Sequence, residues 1–92
     1  MSISGIAELT AVNSASFRDE VHAVLPGSPP LIEVDLSETR FVDSSGLGAL
    51  FGLYRATAQR DGVVLRLLNP RPEILQLLEL TQMQQLFEIV RR

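Results

Sequence analysis

Residues 31–50 read Leu31-Ile32-Glu33-Val34-Asp35-Leu36, then Ser37-Glu38-Thr39-Arg40-Phe41-Val42, then Asp43-Ser44-Ser45-Gly46-Leu47-Gly48-Ala49-Leu50. The first run is short and mostly apolar, which is the composition of a buried strand. Residues 37–46 are polar except for Phe41-Val42. From about Ser45 to Arg60 the apolar spacing predicts a helix. Leu47, Leu50, Phe51, Tyr54 and Ala58 make one stripe on it, and Ala49, Leu53 and Ala56 a second. Such a helix has little purely polar face. Gly48, Gly52 and Ala56 stand four apart, a small-residue row that lets a sheet or a partner approach closely, close packing on the helix's own sheet being the plainer reading. A buried strand followed by an amphipathic helix is the unit from which α/β folds are built.

The rest of the chain repeats that alternation. Residues 3–9 give a weak strand signal interrupted by Gly5. Phe17, Val21, Val24 and Leu25 then fall on one face of a helix beginning at Asn13 or Ser14, both good N-caps, and stopped by Pro26-Gly27. Pro26-Gly27-Ser28-Pro29-Pro30 reads as a stiff connection. Asp61-Gly62 ends the second helix, and Val63–Leu68 is a strand. Asn69-Pro70-Arg71-Pro72 is a turn that places Pro72 in the first turn of a third helix, with Ile74, Leu75, Leu77 and Leu78 on its core face. Gln82 to Gln85 break the pattern, and Leu86–Val90 reads as a last short strand. The expectation is one α/β domain over residues 1–92, a sheet with helices on one face or both and right-handed crossovers.

Composition excludes several classes of function. The 92 residues contain no cysteine, so disulfides, thiolate metal sites, iron–sulfur clusters and cysteine nucleophiles are absent. This fits a reducing compartment, and the reading is cytoplasmic. A net charge of −3 argues against a nucleic-acid partner, because such affinity rests on basic patches. No run reaches the roughly 18 apolar residues of a membrane span, so direct membrane insertion is not expected. The first six residues do not have the form of a secretory signal.

One segment carries candidate chemistry: Asp43-Ser44-Ser45-Gly46-Leu47-Gly48, at the start of the central helix. Asp43 or Ser44 can cap that helix, and its free amides and dipole favour negative charge. A phosphoryl group on Ser44 would meet those amides and also the Asp43 carboxylate. The two states would differ by about 1.5–2 charges at one spot, which suits a switch. The plainer reading is an ordinary helix cap before a glycine turn. Other chemistries fare worse. Val42 stands where a nucleophile elbow requires glycine. His22 is the only histidine, so a triad of Ser44, His22 and Asp43 or Asp35 is a remote reading and no transition-metal site is expected. A magnesium ion shared by Asp35 and Asp43 lacks any accompanying phosphate loop. No cofactor is expected.

Ile32–Ser37 followed by Phe41-Val42-Asp43-Ser44-Ser45-Gly46-Leu47-Gly48-Ala49-Leu50 resembles the signature of the STAS domain, the family of sulfate-transporter and anti-sigma-factor-antagonist domains. Leu75 to Ile89 is similar to the family's last helix and strand, and Gly5–Leu9 with Ala15–Arg18 resembles its entry into the first helix. The resemblance implies a STAS-like sandwich. Its sheet would be mixed and mostly parallel, of about four strands, packed with three to four helices. The N-terminal strand pair is shortened here to about ten residues. A missing edge strand would leave a sheet edge open to a homodimer or strand exchange. Gln82 stands where relatives often have glycine.

The resemblance further implies a binding module and not an enzyme. It points to an anti-sigma factor antagonist that binds an anti-sigma factor with serine kinase activity and is reset by a phosphatase. Ser44 would be the phospho-acceptor. Asp43 would shape the switch loop, Ser45 and Gly46 would start the helix, and Leu47 with the exposed part of that helix would contact the partner. The alternative within the family is a non-catalytic subunit of a lipid-transport ATPase complex or of a stress-sensing scaffold.

Overall fold

The computed structural model describes residues 1–27, 29–60 and 62–92. Ser28 of the expected connection and Asp61 of the expected helix end lie outside the described residues. Among the described residues six strands and three α-helices follow one another as β1 Ser2–Ile3, β2 Glu8–Leu9, α1 Ser14–Val24, β3 Leu31–Asp35, β4 Phe41–Val42, α2 Ser44–Ala58, β5 Val64–Leu68, α3 Pro72–Leu80 and β6 Glu88–Val90. Short 3₁₀ turns follow α1 at Leu25–Gly27 and α3 at Met83–Gln85.

The main sheet has the order β1-β3-β5-β6. Every pairing among the described residues is parallel. The sheet of four strands with three helices is thus as expected, but it is wholly parallel among the described residues where a mixed sheet was expected. Each successive strand of the main sheet is added in the same direction. With right-handed crossovers, that order puts every helix on one face. The core agrees: Ile3, Ile32, Val34, Leu65 and Leu67 of the strands are buried in one cluster with helix residues such as Phe17, Val21, Leu50, Leu53 and Ile74. The opposite face carries a polar row in register, Ser2, Glu33, Arg66 and Glu88. There Arg66 lies 3.8 Å from Glu33 and 3.2 Å from Glu88, and Arg92 reaches Glu33 at 2.9 Å. The two-residue periodicity of the strands separates core from ion row.

Four readings of the sequence are corrected. Residues 3–9 are not one strand. Gly5, with φ of +73°, turns the chain between β1 and β2, which belong to different sheets. Both members of the short N-terminal pair are therefore present, each two residues long. Phe41-Val42, read within a polar loop, is β4 and pairs with β2. The buried face of α2 is Gly46, Ala49, Leu50, Leu53 and Thr57, whereas Phe51 and Ala58 are exposed. The row of Gly48, Gly52 and Ala56 does not provide the close approach to the sheet. A Cβ at Gly48 or Gly52 would meet nothing within 4 Å.

Local chemistry accounts for the remaining element ends. Pro72 occupies the first turn of α3, as its missing N–H favours. Gln82 has φ of +63°, the left-handed conformation that glycine adopts without strain, which explains the pattern break there. Asn13 caps α1 less directly than expected. Its Oδ1 accepts from the Thr10 amide at 2.9 Å and its Nδ2 donates to the Glu8 carbonyl at 2.7 Å, tying the turn before the helix.

Candidate functional site

The segment 43–48 sits where β4 runs directly into α2. Asp43 is the N-cap, with extended backbone. Its Oδ1 accepts from the Gly46 amide at 2.9 Å, the bond that satisfies an otherwise free donor of the first turn. Its backbone carbonyl accepts from the Leu47 amide at 2.9 Å, which closes the turn. Of the two candidates for the cap, Asp43 is the one that serves.

The second oxygen of Asp43 does something else. Oδ2 accepts from the Ala11 amide at 3.1 Å, across 32 residues of sequence. The Asp43 amide in turn donates to the Leu9 carbonyl at 3.2 Å. One carboxylate thus holds the α2 start and the loop between β2 and α1 together. The Gly46 amide above all, helped by those of Ala11 and Ser45, keeps the Asp43 carboxyl below its ordinary titration range, against some opposing desolvation.

Gly46 is required by that same junction. A Cβ there would lie 2.0 Å from the Leu9 carbonyl oxygen and 3.0 Å from a Val42 methyl. Only a residue without a side chain lets β2 pass so close to the helix. Gly46, Gly48 and Gly52 lie close together in the sequence, and spacing alone does not show which of them is packed.

Ser44 and Ser45, the first two helical residues, are exposed. Ser44 therefore presents its hydroxyl at the positive end of a 15-residue helix, beside a capping carboxylate. Leu47 is half-buried against the core, so only part of it faces outward. Two turns along the Ser44 face, exposed Phe51 stacks with Tyr54 at 6.2 Å, and the Arg55 guanidinium lies 6.0 Å from the Phe51 ring centre. Val12, which the sequence does not single out, and Phe41, which it places within a polar loop, flank the segment and are 90% and 56% exposed. Their neighbourhood depends on the Asp43–Ala11 bond and on the β2–β4 pairing, and neither leaves a local pattern.

The residues considered for other chemistry are engaged or apart. Asp35 accepts from the Ser37 amide at 2.9 Å, and Asp43 spends both oxygens on backbone amides. His22 is exposed in the last turn of α1. Among the described residues no group of three or more His, Asp or Glu side chains gathers as a metal site. A cavity of about 300 Å³ lies between residues 3–9 and α1, walled by Ile3, Ile6, Leu9 and Phe17, and Ser44 is not part of it. No helix among the described residues is long and apolar enough to cross a membrane.

Comparison with known proteins places this geometry. The family model of the STAS domain matches residues 2–92. A candidate anti-sigma factor antagonist of Thermotoga maritima superposes with a TM-score of 0.85 at 22% identity, covering 96% of this chain and 76% of its own. A STAS-domain anti-sigma-factor antagonist of Planctomyces limnophilus gives 0.84 at 17% identity, over 99% and 80% of the two chains. SpoIIAA, an anti-sigma factor antagonist, gives 0.75 at 24% identity in its unphosphorylated form, over 96% and 75%. The phosphorylated form of SpoIIAA, a Bacillus cell fate determinant, gives 0.69 at 22% identity, over 96% and 78%. At these identities the likeness establishes the fold. No curated protein sequence matches the chain.

Proposed function

This chain belongs to the STAS domain family, and on that premise we propose that it is an anti-sigma factor antagonist switched by phosphorylation of Ser44. Its role is binding, not catalysis. The unmodified form binds an anti-sigma factor that is also a serine kinase. Transfer of a phosphoryl group to Ser44 breaks the complex, and a phosphatase restores it. The site of action is the cytoplasm.

The observation that carries this reading is the placement of Ser44. It is exposed at the first position of α2, fixed by a cap that leaves its own hydroxyl out of the packing. A kinase can reach such a hydroxyl without unfolding anything. The neighbouring surface of Phe51 and Arg55, with the outward part of Leu47, offers apolar and cationic contacts of the kind that anchor interfaces. A partner that covers Ser44 must desolvate whatever sits on it. A dianionic phosphoryl group beside the Asp43 carboxylate makes that burial costly. The existence of phosphorylated and unphosphorylated forms of the structural relative SpoIIAA supports the same reading. The two-residue edge strand β1 leaves self-association through the sheet edge as a secondary proposal.

The test is isolation of the protein from its native cells with phosphatases blocked, followed by intact mass, site mapping and identification of partners. Phosphate at Ser44, with a kinase-type anti-sigma factor bound to the unmodified form, is the expected result. An unmodified protein found only with transporter or scaffold subunits would replace this function with the family's structural one.

A further inference from the structure

Among the described residues the large exposed hydrophobics are Val12, Phe41, Phe51, Val64 and Leu80. Three of them flank Ser44. Phe51 lies seven residues along α2, two turns up the same face. Phe41 and Asp43 are two apart in extended backbone, so their side chains share one side of the ribbon formed by β2 and β4. Val12 follows Ala11, whose amide is held by Asp43. The loop carrying Val12 is ordered by further bonds, Val12 N–H to Thr10 Oγ1 at 3.2 Å and Thr10 N–H to Asn13 Oδ1 at 2.9 Å. A valine left 90% exposed in a loop so tied is presented, not displaced.

Resting on the function proposed above, we infer that Val12 and Phe41 form a second lobe of the partner-binding surface, beside the one that carries Phe51. The occupant is the same anti-sigma factor that reads Ser44. A protein that senses one hydroxyl must exclude water around it, and so must cover the residues on every side. The large apolar side chains among them are Val12, Phe41 and Phe51, which give the covered area its affinity. Asp43 is the positioning residue of this surface. Through its two oxygens it fixes the Val12 loop against the helix that bears Ser44.

The test uses the intact protein and a purified kinase-type anti-sigma factor of the same organism that phosphorylates Ser44. Val12→Ser and Phe41→Thr should each weaken the complex at least tenfold by titration calorimetry. Val64→Ser, on the ion-row face of the sheet, should change it less than twofold. All three variants should keep the wild-type melting temperature within a few degrees, because these side chains are exposed. Binding of Val12→Ser and Phe41→Thr within twofold of wild type, with Ser44 still phosphorylated, would overturn the inference and leave the proposed function standing. If no kinase-type anti-sigma factor of the organism binds the protein or phosphorylates Ser44, the proposed function fails and this inference with it.

Discussion

Asp43 is the residue on which the site turns, and its chemistry sets a pH dependence. Amide donors lower its folded-state pKa, the Gly46 amide foremost. A carboxylate with a depressed pKa contributes stability that is fully present above its unfolded value, about 3.9, and is lost as pH falls through the folded value. Asp43→Asn keeps one acceptor oxygen where two are used, so it retains either the cap or the Ala11 bond but not both. Its melting temperature should fall below wild type at pH 7, and the gap should narrow only below about pH 4. Thermal melts from pH 7 to pH 2.5 check this, and a constant gap throughout would remove Asp43 from the account. Ser44→Ala should change stability by less than about 0.5 kcal/mol in urea unfolding, because the residue is exposed and is not the cap. That Asp43-Ser44 stands at the start of α2 was legible in the sequence. Which of them caps the helix was not, since both types serve equally well at that position.

At the scale of elements, the contrast between two glycines of α2 separates packing from exposure. Gly46→Ala drives a Cβ into the Leu9 carbonyl and should cost at least about 2 kcal/mol, because backbone must shift to admit it. Gly48→Ala meets nothing and should raise stability by about 0.5–1 kcal/mol, the usual gain in an exposed helix interior. Urea unfolding of both variants gives opposite signs if α2 is seated as described, and equal losses would place the small-residue row against the sheet after all. The long elements were legible because Phe17, Val21 and Leu25, or Ile74 and Leu78, repeat with helical period. The two-residue strands β1, β2 and β4 were not. Their pairing is decided by residues more than 30 positions away, such as Glu8 opposite Phe41, and two residues are too few to show a period. The buried face of α2 was not legible, because a helix apolar on most sides does not declare which side is covered.

The whole molecule is a sheet wound in one direction, with its helices and core on one face and the Glu33–Arg66–Glu88 row on the other. The order of strands and helices was readable from the alternation of patterns, and with it the fold class. The site's location follows from that topology, since α2 starts where the small β2–β4 ribbon meets the helical layer. The surface around Ser44 was only half readable. Phe51 lies on the helix that Ser44 begins, whereas Val12 reaches the site through a bond between distant segments. The central claim is that one phosphoryl group on this surface decides whether the partner stays bound. The most direct measurement is the affinity of a kinase-type anti-sigma factor for the protein before and after stoichiometric phosphorylation of Ser44. The account predicts a loss of at least about 100-fold, or about 2.7 kcal/mol. Equal affinity of the two forms would contradict it.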